Sequence, residues 1–210
     1  MSKVVFLIDG FNLYHSILSL KRKAGYSAKW LNVHSLCQSY LHLFGKQASL
    51  EKVYYFSAIP RYLKPFKPDK IERHQMYMDV LDFTGVDIVL GRFKSKDVYC
   101  HQCKSMILKH EEKETDVAIA VKLFEVCFKS KADIIIIVTG DTDLSPAVKT
   151  CKELFPKKRI LFAFPFDRKN KELLKLAPDS FSISKKQYIN HVLSNPIKIK
   201  NQEICKPDKW

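Results

Sequence analysis

Two strongly hydrophobic runs in the chain lead directly into aspartates. Val-Val-Phe-Leu-Ile precedes Asp9, and Ile-Ile-Ile-Ile-Val-Thr-Gly precedes Asp141, with Asp143 two residues on. Asn12 lies three residues after Asp9, and Asp116 stands in the alanine-rich stretch Glu-Thr-Asp-Val-Ala-Ile-Ala-Val, shortly before the second run. Carboxylates gathered within a few ångströms raise one another's pKa, so several of them ionised together require a counter-charge. An acid-rich, all-oxygen donor set suits Mg²⁺ or Mn²⁺ rather than zinc. Such an ion lowers the pKa of a bound water and offsets charge in an in-line phosphodiester displacement. The competing reading is that each aspartate only caps the helix after its strand, for which Asp-Thr-Asp-Leu-Ser has a suitable composition. The set as a whole, with Asn12, favours a shared metal site.

Two other aspartate chemistries fail on spacing. A phosphatase of the haloacid dehalogenase type needs a second Asp two residues after the nucleophile, where this chain has Phe11. An integrin-like metal site needs Ser where Asp143 stands.

The elements that must position these residues follow from the hydrophobic pattern. Short apolar, β-rich runs at residues 4–8, 53–57, 86–90, 134–138 and 160–164 read as strands buried on both faces. Helical stretches at about 12–24, 33–44, 68–84, 116–129, 144–154 and 170–176 fill the gaps between and after them. Alternation of this kind predicts an α/β fold, a three-layer α/β/α sandwich around a mainly parallel sheet of about five strands. In such sheets the ligand crevice lies at the carboxyl ends of the strands, which is where the aspartates fall. Gly10, Gly91 and Gly140 directly follow predicted strands, where a sharp turn needs a permissive backbone. Met76, Tyr77, Met78, Leu81 and Phe83 form an apolar stripe at helical spacing and read as core. One domain is expected over residues 1–187, followed by a basic tail, 188–210, only loosely held.

The chain has 210 residues, 46% of them hydrophobic, enough for one well-buried domain. Lys and Arg total 36 against 22 Asp and Glu, a net charge of +14 that calls for a polyanionic partner, nucleic acid above all. No run approaches the roughly 18 apolar residues of a membrane span, and the start is interrupted by Asp9 too soon for a signal peptide. A cytoplasmic protein, with no membrane partner and with its six cysteines as thiols, is expected. Whether it assembles with a second copy or with another protein is left open.

Two basic stretches follow strands and read as inserted loops, residues 60–68 and 93–114. Arg61 and Lys64 in the first, and Arg92, Lys94, Lys96, Tyr99 and Lys109 around the second, interleave cations for phosphates with rings for bases, as single-stranded nucleic acid requires. Lys157, Lys158 and Arg159 precede a strand and are expected on the opposite edge as a solvated turn. Cys100-His-Gln-Cys103 has the spacing of half a zinc site. His110 is the candidate third ligand, but no second pair completes the four, and an unmetallated loop is the favoured reading. His15, early in the first helix, reads as structural or surface.

Taken together, several of these blocks resemble a family. Val-Val-Phe-Leu-Ile-Asp-Gly-Phe-Asn-Leu-Tyr (4–14), Gly-Arg-Phe-Lys (91–94), His-Glu-Glu-Lys-Glu-Thr-Asp-Val-Ala-Ile-Ala-Val (110–121), Val-Thr-Gly-Asp-Thr-Asp-Leu-Ser-Pro-Ala-Val (138–148) and Phe-Ala-Phe-Pro (162–165) look like an NYN domain. The resemblance covers about residues 1–187, and the order and spacing of the blocks carry it. It implies a PIN-like, Rossmann-like fold and metal-dependent ribonuclease activity. It also implies Asp9, Asp116, Asp141 and Asp143 as ligands of Mg²⁺ or Mn²⁺, with Asn12 orienting a metal-bound water or the scissile phosphate. RNA is the expected partner, ahead of DNA. The chain departs from the family at Lys122, where Asp is common. Six residues beyond Asp116 is about 240° around a helix, so Lys122 need not face the site. An RNA-binding module of the same fold with weak or absent catalysis is the alternative. A small-molecule phosphohydrolase is a further one, disfavoured by the charge.

Overall fold

In the computed structural model, which describes residues 2–199 and 202–207, the two hydrophobic runs lie side by side. Strand β1 (Lys3–Asp9) pairs in parallel with β5 (Ile134–Val138) on one side and with β2 (Ser49–Ala58) on the other. The sheet extends through β3 (Asp87–Cys100) beyond β2 and through β6 (Arg159–Phe164) beyond β5. All of these neighbours run parallel, which gives the five expected strands. Two more complete the sheet, β4 (Ser105–Lys113), antiparallel to β3, and the two-residue β7 (Phe181–Ser182), parallel to β6. The order is β4-β3-β2-β1-β5-β6-β7, a seven-stranded and mostly parallel sheet in place of about five strands.

Helices cover both faces. Helices α1 (Gly10–Ala24), α2 (Val33–Ser39) and α3 (Pro68–Phe83) bury their apolar sides on one face, against Val4, Phe6 and Ile8 of β1 and Ile134, Ile136 and Val138 of β5. Helices α4 (Thr115–Lys129), α5 (Ser145–Leu154) and α6 (Lys171–Leu176) pack on the other, against Val5, Leu7, Ile135 and Ile137. The alternation of a pleated strand thus divides each unbroken apolar run between two cores. Phe83, expected in the core stripe, is exposed, while Val80 of the same helix is buried.

Residues 93–114, expected as a loop, form most of a β-hairpin. Only Asp87–Gly91 of β3 pair with β2; the strand continues from Arg92 to Cys100, and β4 returns antiparallel alongside it. Gly91 therefore lies inside a strand rather than in a turn. A side chain there would press on the Lys113 carbonyl and the Thr115 hydroxyl, where the chain crosses back toward α4. The expected tail also has structure. Helix α7 (Lys185–Asn190) carries Tyr188, which is fully buried, and its hydroxyl lies 2.9 Å from Ser16 Oγ of α1. Beyond it, β8 (Ile197–Ile199) and β9 (Gln202–Ile204) form a small hairpin whose isoleucines pack on the first core. Residues 200, 201 and 208–210 of the expected tail lie outside the described residues. Among the described residues no helix is long and apolar enough to cross a membrane.

Candidate active site

Strand order reverses at β1. The chain proceeds from β1 to β2 and β3 on one side, then returns to place β5 and β6 on the other. The carboxyl ends of β1 and β5 thus flank the topological switch point, where α/β sheets open their ligand crevice. Asp9 ends β1 and Asp141 follows β5 by three residues.

Asp9 is only 5% exposed and is held by two hydrogen bonds. The Asn12 backbone N–H donates to Oδ1 at 2.9 Å, so Asp9 does cap α1, and the Thr139 hydroxyl donates to Oδ2 at 2.9 Å. The cap draws α1 back to Gly10, two residues earlier than its apolar pattern indicates. A side chain at Gly10 would collide with the Phe56 carbonyl and the Tyr55 ring, so the turn out of β1 lies tight against β2. Thr139, fully buried, also accepts from the Asp141 backbone N–H at 3.1 Å. Asp141 in turn accepts the Asp143 N–H at 3.1 Å and caps the 3₁₀ turn Thr142–Leu144 before α5. Asn12 Oδ1 accepts the Gly140 N–H at 3.1 Å and joins the first turn of α1 to the end of β5. Asp9 and Asp141 are therefore both helix caps, and both lie at the carboxyl ends of the central strands.

Asp116 enters from the first turn of α4, on the second face of the sheet. Burial and then repulsion from Asp9, Asp141, Glu112 and Asp143 push its pKa up to about 6. Burial likewise raises Asp9, with Asp141 and Glu112 adding repulsion and its two hydrogen bonds acting the other way. Asp116 thus feels the other three predicted aspartates, and Glu112 joins them. Glu112 lies on β4 and accepts from both the backbone N–H and the hydroxyl of Thr115. Sequence reasoning missed Glu112 because it sits inside what read as a loop. The run Glu111-Glu112-Lys113-Glu114 beside Asp116 was the signal available. Thr139 was missed as well, since a threonine after a strand carries no charge pattern.

Among the described residues, none of the ion pairs involves Asp9, Glu112, Asp116, Asp141 or Asp143. A set of mutually repelling carboxylates, one of them buried, is left without a protein cation in a chain carrying +14. Its chemistry fits a hard divalent cation. Among the described residues, no group of three or more His, Cys, Asp or Glu side chains is placed to hold a metal ion.

Lys122 does not neutralise the cluster. Its Nζ pairs with Glu125 one turn on, at 2.5 Å, and lies 4.8 Å from the centre of the Tyr54 ring.

The structure does not bring His110 to the Cys100 and Cys103 pair. Cys100 and Cys103 sit at the hairpin turn, where Cys103 Sγ lies 2.9 Å from Ser105 Oγ. His110 is five residues further along β4 than Ser105, the partner of Cys100, which is roughly 17 Å at strand spacing. It stacks instead on Tyr62, ring centres 3.8 Å apart.

The pleat separates the cations from the rings that the sequence interleaves. Arg92, Lys94, Lys96, Lys109 and Lys113 are on one side of the hairpin, since cross-strand partners share a side. Phe93, Tyr99 and His110 are on the other. Arg92 pairs with Glu114 and Lys109 with Glu111, whereas Lys94 and Lys96 enter no ion pair among the described residues. Arg61 and Lys64 flank a 3₁₀ turn, Arg61–Leu63, and are exposed. Lys158 donates to the Ser130 and Ala132 carbonyls and Arg159 pairs with Asp179, both at the amino end of β6, away from the aspartates.

A family model described as NYN domain matches residues 3–185. No curated protein matches the chain. Among solved structures, a protein of unknown function from Vibrio parahaemolyticus is similar, with a TM-score of 0.56 and 16% identity over 87% of this chain and 93% of that one. That likeness concerns the fold.

Proposed function

This chain belongs to the NYN domain family, a PIN-like nuclease family, and from that premise we propose that it is a divalent-metal-dependent ribonuclease that hydrolyses phosphodiester bonds of RNA. The observation that carries the reading is the gathering of Asp9, Asp116, Asp141 and Asp143 around the switch point with no ion pair to a Lys, Arg or His among the described residues.

Asp9, Asp116, Asp141 and Asp143 would hold Mg²⁺ or Mn²⁺. When bound, such an ion lowers the pKa of water and offsets the charge that builds on the phosphoryl oxygens. The chain's own contribution is placement. Thr139 and the Asn12 N–H fix both oxygens of Asp9, so the most buried carboxylate presents a set orientation. Asn12, through Gly140, keeps the ends of β1 and β5 in register across the crevice. Glu112 adds to the negative field and sharpens the demand for a cation. Lys94 and Lys96, on the arm beside the cluster, would meet backbone phosphates, an electrostatic contribution that weakens with salt.

The test is incubation of the purified chain with labelled single-stranded RNA in Mg²⁺, Mn²⁺ or EDTA, beside an Asp141→Asn/Asp143→Asn control. Cleavage that needs the metal and is absent from the double variant is the expected result. Salt-sensitive binding without turnover in either metal would overturn the proposal in favour of an RNA-binding module. Turnover confined to simple phosphomonoesters would overturn it in favour of a small-molecule phosphohydrolase.

A further inference from the structure

Next to the carboxylates, on the face of the sheet covered by α1 and α3, the structure has a cavity of about 310 Å³. Gly10, the residue after Asp9, lines it, so the cavity and the acidic crevice share a wall at the end of β1. The size is at the lower end of pockets that take small organic ligands. Two kinds of side chain surround it.

The first kind is cationic. Lys29, Lys70 and Arg73 line the cavity, and among the described residues none of them enters an ion pair. They act on one another instead: burial, then repulsion from Lys21, Arg73, Lys206 and Lys70, lowers the pKa of Lys29. Three cations that converge from α3 and from the segment after α1, with no Asp or Glu among the residues lining the cavity, form an anion site by the same logic that makes the aspartates a cation site.

The second kind is aromatic. Phe11, Tyr14, Tyr62 and Phe93 line the same space. Phe93 meets Phe11 edge to face at 6.0 Å and Tyr62 at 5.3 Å, and Tyr62 is backed by the stacked His110. The rings are therefore fixed by one another rather than free to turn. Tyr14, 41% exposed, stands at the rim. An anion site joined to rigid rings is the combination that single-stranded nucleic acids require, the phosphate for charge and the unstacked base for π-contact.

We propose that this cavity is a nucleotide subsite that holds one unstacked nucleotide of a single-stranded RNA, its base against Tyr14, Tyr62 and Phe93 and its phosphate on Lys29, Lys70 and Arg73. The subsite rests on the ribonuclease reading for its role, since it would seat a nucleotide beside the bond placed at the carboxylates. It assigns the hairpin's aromatic side to base contact and leaves the lysine side to the backbone beyond.

The test separates binding from chemistry. Binding of a fluorescein-labelled 12-nucleotide single-stranded RNA to the full chain carrying Asp141→Asn is measured in EDTA across a salt series, with Lys70→Ala/Arg73→Ala and Tyr14→Ala variants added. Lys70 and Tyr14 are exposed and Arg73 is half-buried, and circular dichroism melts establish that each variant folds as its parent does. The charge variant is expected to lose at least tenfold in affinity and to reduce the salt slope by about 0.7 for the phosphate contact removed. The Tyr14 variant is expected to lose the fluorescence quenching of a 2-aminopurine placed in the RNA. Unchanged affinity, slope and quenching in folded variants would overturn the subsite whether or not the chain cleaves RNA. Pocket-dependent binding by a chain that never cleaves would uphold the subsite and remove only the ribonuclease reading. Adenosine monophosphate competing as tightly as the RNA would overturn it in favour of a free-nucleotide site.

Discussion

The Thr139 hydroxyl donates to Asp9 at 2.9 Å while it accepts the Asp141 N–H at 3.1 Å, so one buried side chain ties together the ends of the two central strands. Removing it strips a hydrogen bond from a carboxylate that is already poorly solvated. Thr139→Val, close in shape, should lower stability by about 1–3 kcal/mol, the cost of an unsatisfied buried polar group. It should also cut metal-dependent RNA cleavage more than it changes RNA affinity. Urea melts and a comparison of kcat with Kd would check both, and an unchanged kcat would remove the positioning role given to Thr139.

Asp116 sets a pH dependence. Its folded pKa, about 6, is above the ordinary 3.8, so the metal-free fold is relatively favoured while Asp116 is protonated and loses that advantage as pH rises from about 4 through 6. With allowance for solvent screening of a half-buried group, the effect is on the order of 1 kcal/mol. Asp116→Asn should therefore raise the metal-free Tm at pH 7.5 by about 2–4 °C and have little effect at pH 4. Differential scanning calorimetry at the two pH values tests the sign.

The same protonation opposes metal binding. Mn²⁺ affinity of the native chain should fall as pH is lowered from 7 to 5, and Asp116→Asn should flatten that profile. Titration calorimetry with Mn²⁺ at pH 5, 6 and 7 would show it, and a profile unaltered by the substitution would place the titrating group elsewhere.

Lys122→Ala should leave metal-dependent cleavage within about twofold of the native rate. The lysine is committed to Glu125 and the Tyr54 ring, so its presence where the family commonly has Asp does not neutralise the cluster. A rate that rises tenfold or more on its removal would show that the departure had weakened the site.

The five parallel strands were legible in the sequence because each reads as an apolar run, unbroken and buried on both faces in β1, β5 and β6, although Ile88 and Val89 of β3 are only half-buried and Leu90 is exposed. The hairpin arm was not. Its outer part, Arg92–Cys100, is solvated, and the alternation of Phe93 and Tyr99 with lysines reads equally well as a loop with scattered rings. Glu112 was lost with it. The aspartates were legible because sheets place their ligand crevice at strand ends, so position along the chain already implied position in space. The cavity had no such rule to reveal it. Gly10, Lys29, Tyr62, Arg73 and Phe93 come from segments whose adjacency depends on strand order, which pattern alone leaves undetermined.

The cap that Asp9 supplies to α1 bears on how silent members of this family could be told from active ones. A chain that had abandoned hydrolysis would still be under pressure to keep a capping side chain at position 9, Asp, Asn or Ser, because the first helix needs an acceptor for its orphan N–H and typically loses about 1 kcal/mol without one. Asp116 carries no such obligation. It is not the cap of α4, and its charge is a burden to the empty fold, so on the proposed ribonuclease reading the reaction is the reason to retain it. On that reading, decay of the activity would be written first at position 116, while position 9 would keep a side chain able to cap the helix.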